Sequence, residues 1–128
     1  MKDKLFKILD VCETKQLAEI FKNYMESIGV RKFDGRRKDN SNTYCAHGDC
    51  TSWNRVECYY YKDKPEYGKS VLDITLRKRA GYYFLIGKDS QIAFERSYNY
   101  IAHYDEALLN EILQEHKPLF DALLKLVD

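Results

Sequence analysis

The chain has 128 residues, 45% hydrophobic and 32% charged, and its 21 basic and 20 acidic residues leave a formal net charge of +1. These proportions exclude a disordered chain and a uniformly polycationic one, so charge speaks about partners only where it clusters. The length fits one domain, residues 1–128, with a real core. Eleven tyrosines are many for this length, and tyrosine suits half-buried faces and interfaces.

The N-terminal apolar run is broken by Lys7 and Asp10, which leaves no signal-peptide core. No stretch approaches the roughly 20 apolar residues of a membrane span. The expectation is a cytoplasmic protein with no membrane partner, whose Cys12, Cys45, Cys50 and Cys58 are thiols or metal ligands rather than a disulfide framework.

Leu5, Ile8, Leu9 and Cys12 form one helical stripe. Leu17, Ile20, Phe21, Tyr24, Met25 and Ile28 form a second, with Gly29 placed to end the helix in a left-handed conformation. The two stripes belong either to one long helix or to two that part near Glu13 and Thr14. Val30 to Ser52 shows no periodicity and reads as one long polar loop.

From Trp53 to about Tyr100 the period becomes two. Val56, Cys58 and Tyr60 alternate with Arg55, Glu57, Tyr59 and Tyr61, and Leu72, Ile74 and Leu76 alternate with Asp73, Thr75 and Arg77. The runs "YYFLIG" and "QIAFERSY" follow, and "KDKPEYGK", "RAG" and "GKDS" read as hairpin turns. The prediction is an α+β fold: N-terminal helix or helices, a four-stranded antiparallel meander, and a C-terminal helix. Asp105 caps that last helix, which is kinked or split near Pro118. Leu72, Ile74 and Leu76 are expected to pack on Leu17, Phe21, Leu108 and Ile112.

Cys45, His47, Cys50 and Cys58 supply sulfur and imidazole ligands of the kind zinc takes, with His103 an alternative to Cys58. Their spacing is irregular, and Cys12 and Cys58 sit where small core residues belong, so no bound metal or cofactor is expected. No nucleophile-elbow or phosphate-loop motif occurs. The best catalytic arrangement is a metal-dependent nuclease in which Asp73 and Glu95 share a magnesium ion beside Lys78 or Lys88.

Two surfaces carry binding chemistry. The segment "RKFDGRRK" gathers Arg31, Lys32, Arg36, Arg37 and Lys38 around Phe33, as a phosphate backbone would require. The outward strand positions gather Trp53, Arg55, Tyr59, Tyr61, Thr75, Arg77 and Tyr83, a composition common to interface hot spots and base-stacking platforms. The leading expectation is a small, non-enzymatic adaptor or inhibitor that docks on a protein partner. A nucleic-acid or nucleoprotein binder is the alternative, and the nuclease comes third.

Overall fold

The structure, a computed structural model, describes residues 1–35, 41–48, 54–63 and 70–128. Two helices open the chain, α1 (Lys2–Val11) and α2 (Thr14–Ser27). The break between them is built by Glu13, whose backbone N–H donates to the Gln16 side chain in a capping box that starts α2. α2 ends as its sequence implies. Gly29 adopts φ +77°, and the N–H groups of Gly29 and Val30 donate to the carbonyls of Glu26 and Met25, the paired bonds of a Schellman motif. Leu17, Phe21, Tyr24 and Met25 are buried, whereas Ile28 is exposed because the helix has turned off the core by then.

A mostly antiparallel sheet follows, with seven strands rather than four: β1 (Arg31–Lys32), β2 (Thr43–His47), β3 (Arg55–Tyr61), β4 (Leu72–Arg77), β5 (Tyr83–Lys88), β6 (Gln91–Ser97) and β7 (Tyr100–Tyr104). The four runs read from Trp53 to Tyr100 correspond to β3 to β6. The long loop expected from Val30 to Ser52 instead holds β1 and β2, and β1 pairs parallel to β2. β2 carries polar Thr43 and His47, and β1 has only two residues, so neither leaves a periodic signature. β7 was hidden by its turn. Tyr98 takes φ +54°, a conformation that a tyrosine does not advertise. By contrast, Asp89 and Ser90 both have positive φ, as a two-residue type I′ hairpin between β5 and β6 demands.

The chain closes with α3 (Glu106–Glu115), α4 (Lys117–Leu124) and a short 3-10 turn (Lys125–Val127). The Asp105 carboxylate accepts the Leu108 N–H as an N-cap. The predicted interruption is real and lies at His116, with Pro118 in the first turn of α4, where its missing N–H costs nothing.

All four helices form one layer: α4 packs on α1, α2 and α3, while α2 covers β2 to β4 and α3 covers β5 and β6. The strand positions facing them are Tyr44, Val56, Cys58, Tyr60, Leu72, Ile74, Leu76, Phe84, Ile86 and Phe94, all in the core. Polar ties cross between the helices and the sheet, and two lie at its β5 and β6 strands. Lys88 donates to Glu111 and Glu115, joining β5 to α3. Arg96, itself buried, reaches α1 through the Phe6 carbonyl and Asp10.

His116 is buried between Tyr24 and Tyr60, sharing a 3.0 Å hydrogen bond with the Tyr24 hydroxyl through Nδ1 and placing Glu115 4.0 Å from Nε2. Burial holds its pKa below the ordinary histidine value. A histidine depressed in the folded state contributes stability above its unfolded pKa of about 6.5, and that stability is lost as pH falls toward the folded value. The urea midpoint is therefore expected to drop between pH 7.5 and 5.5 by more in the native chain than in His116→Gln. Parallel pH profiles for the two chains would contradict this.

Candidate interface on the open sheet face

Alternation along each strand sends the other half of its side chains to the face opposite the helices. Strand register arranges them in three cross-sheet rows. The first runs Cys45, Tyr59, Asp73, Gly87, Ile92. The second runs His47, Glu57, Thr75, Leu85, Glu95, His103. The third runs Arg55, Arg77, Tyr83, Ser97, Tyr100. Direct neighbours within a row have Cβ atoms about 5 Å apart, close enough to act on one another.

They do so in chains of contact. Tyr59 and Tyr61 stack with ring centroids 6.3 Å apart, and His47 lies 6.4 Å from Tyr59. The Arg77 guanidinium sits 4.5 Å from the centre of the Tyr83 ring, and the Tyr83 hydroxyl donates to Glu95. Arg55 pairs with Glu57. Burial, together with the carboxylates of Asp73 and Glu57, pushes the Tyr59 phenol above its ordinary value, so it remains a neutral donor.

Of the residues expected on this face, Arg55, Tyr59, Tyr61, Thr75, Arg77 and Tyr83 are there, while Trp53 lies outside the described residues. The same alternation also carries Glu57, Asp73 and Glu95 to this face, an acidic component that strand parity makes visible in the sequence. The basic segment divides. Arg31 and Lys32 form β1 and point to opposite sides of it, and Arg36, Arg37 and Lys38 lie outside the described residues. Lys32 joins Lys15, Glu19, Lys22 and Tyr44 around a surface groove of about 370 Å³ between α2 and the sheet edge.

Among the described residues, the candidate metal ligands divide between the two faces of the sheet. Cys45 and His47 project from β2 to the open face, whereas Cys58 projects to the core, and Cys50 lies outside the described residues. His103 is five strands away from Cys45, roughly 24 Å at ordinary strand spacing. Among the described residues, no group of three metal-binding side chains forms. Cys45 is buried, and its thiol is pushed up to about 11, far from a reactive thiolate.

The nuclease arrangement is likewise taken apart by register. Glu95 aligns with Thr75, two strands over and two residues along from Asp73, which separates the two Cα atoms by about 12 Å. Lys88 faces α3 on the other side of the sheet, and Lys78 pairs with Glu13.

Asp73 is the unusual member of the face. It sits in a central strand, accepts a long 3.4 Å bond from Thr75, and burial pushes its carboxyl up to about 6. A carboxyl raised in the folded state destabilises the fold above that value and ceases to do so below the unfolded value of about 3.9. Asp73→Asn should therefore raise stability at pH 7.5 by on the order of 1–3 kcal/mol, with the gain vanishing near pH 4. Urea titrations at the two pH values measure this, and an unstabilised variant at pH 7.5 would refute it.

No known family model, curated protein or solved structure matches this chain.

Proposed function

We propose that the protein is a small, non-enzymatic intracellular docking module, an adaptor or inhibitor whose partner is a protein held on the open sheet face. The observation that carries this reading is the composition of that face. Tyr59, Tyr61, Tyr83 and Tyr100 lie among Arg55, Arg77, Glu57, Asp73 and Glu95 on a rigid sheet. Tyrosine offers large contact area at low entropic cost, and tyrosine with arginine dominates interface hot spots. The mixture of signs also favours a protein over a phosphate backbone, because Glu57, Asp73 and Glu95 would repel a polyanion laid across the rows.

A nucleic-acid reading retains one supporting observation, the groove of Lys15, Lys22 and Lys32. The two readings part in a capture experiment from nuclease-treated cell extract. The native chain should retain a defined protein. Tyr59→Ala with Tyr61→Ala should lose it by about 30-fold or more in affinity, as hot-spot truncation does. Lys15→Ala, Lys22→Ala and Lys32→Ala together should keep it. Capture that disappears with nuclease and with the lysine triple variant would overturn the protein-docking reading in favour of a polyanion.

A further inference from the structure

We propose that the groove between α2 and the β1 edge binds a small polyphosphate, an anion of two or three linked phosphate groups. The inference goes beyond docking on the open face, because the groove lies on the helix side of the sheet and uses other residues.

The groove follows from the fold. α2 packs on β2, β3 and β4, and β1 lies one strand further out. Lys32 of β1 aligns with Tyr44 of β2, so its side chain joins Tyr44 on the face turned toward α2. Small residues line the space, Ala18 on the helix and Ala46 on the strand, and the volume between them is about 370 Å³. That size lies at the lower end of the roughly 300–1,000 Å³ of small-ligand sites.

Charge selects the ligand. Lys15 and Lys22 come from α2 and Lys32 from β1, against one lining carboxylate, Glu19. Two sides of the groove thus bring three ammonium groups to one space. All three lysines are exposed, so an anion reaches them directly from solvent. An ammonium is a point charge on a flexible stem, which suits a phosphate oxygen from many directions. Lys15 and Lys22 are seven residues apart on the helix, roughly 10 Å along its axis, a spacing that fits linked phosphates better than a single one.

Length is bounded as well. Glu19 stands between the two helix lysines, and Glu26 lies one turn beyond Lys22. Burial and the Glu26 carboxylate push the Tyr44 phenol above its ordinary value, which puts that carboxylate beside the groove's end. A phosphate chain extended past Lys22 meets a like charge there. This favours a short polyphosphate over a nucleic-acid strand, whose backbone needs a continued basic track.

The probe is sodium tripolyphosphate, titrated to about 10 mM into the full ¹⁵N-labelled chain, a range that detects millimolar binding. Salt is held near 20 mM to limit screening. Saturable shifts should centre on the amides of Lys15, Ala18, Lys22, Lys32 and Ala46. Orthophosphate should bind at least about tenfold more weakly, since it engages fewer of the cations. Lys15→Ala, Lys22→Ala and Lys32→Ala together should also weaken tripolyphosphate at least about tenfold, and Glu19→Gln should tighten it about two- to threefold. The matched control removes as much charge elsewhere, through Lys7→Ala, Lys117→Ala and Lys125→Ala, and should keep full binding. Unchanged spectra away from the groove report that each variant is folded. Equal weakening by the two triple variants would reduce the effect to net charge and overturn the site, as would shifts centred elsewhere. A short oligothymidine that binds the same amides more than about a hundredfold tighter than tripolyphosphate would replace the small ligand with a nucleic-acid strand.

Discussion

Truncating Ile74 to alanine should lower the free energy of unfolding by about 2–5 kcal/mol, the range for removing a buried branched side chain and leaving a cavity. Ile74 is fully buried in β4, flanked by Cys58 and Ile86 on the neighbouring strands. Its surroundings are paired sheet backbone on both sides and helices above, so the site has little freedom to collapse around the missing atoms. Ile74→Val, which removes one methylene, should cost about 0.5–1.5 kcal/mol. Urea unfolding followed by tyrosine fluorescence would measure both, and a loss below about 1 kcal/mol for the alanine variant would mean that β4 is not at the centre of the core.

Replacing Arg96 with methionine should cost about 2–4 kcal/mol, although the apolar stem of the side chain is preserved. The Arg96 guanidinium donates to the carbonyls of Phe6 and Tyr98, pairs with Asp10 at 3.1 Å, and stacks 3.8 Å from the Phe6 ring centre. It is the polar bolt between the first helix and β6. The cost falls mainly on the stranded carbonyls, because Asp10 is half exposed and can turn to water. Asp10→Asn should accordingly be the milder change. The hydrogen bond from Arg96 holds the Asp10 carboxyl below its ordinary value. A depressed carboxyl contributes stability above its unfolded pKa of about 3.9, lost as pH falls through the folded value. The native chain should therefore lose more stability than Arg96→Met on acidification below pH 4. Equal acid sensitivity in the two chains would show that the pair contributes nothing in solution.

The parts of the fold that were legible in the sequence are those where one face meets oil and the other meets water. Leu72, Ile74 and Leu76 alternate so cleanly that strand, parity and core followed together. The parts that were not legible are edges. Thr43, Cys45 and His47 read as loop because their strand lies near the sheet margin, where apolar alternation is weak. The candidate interface was half legible. Its tyrosines and arginines follow from parity alone, yet which carboxylates stand beside them depends on register between strands, and register is not written in a single strand. The same limit explains why Asp73 and Glu95 looked like partners in sequence and are held apart in space. The cysteines show it most plainly, since Cys45 and Cys58 are one residue out of register and so fall on opposite faces.

Strand order across the sheet follows chain order without exception. From β2 to β7 each strand meets its neighbour antiparallel through the segment just before it, so this part of the sheet can form hairpin by hairpin with small loop-closure cost, while β1 adds in parallel. The helical layer has the opposite character. α1 rests against α4 and the final 3-10 turn, and Lys4 pairs with Asp128 across 124 residues at 2.7 Å. The apolar stripe of Leu5, Ile8 and Leu9 is covered in part by α4 and the 3-10 turn, elements far along the chain from α1. The sheet is thus built largely from local pairings and its roof from non-local ones, and contacts of high sequence separation carry the larger loop-closure cost.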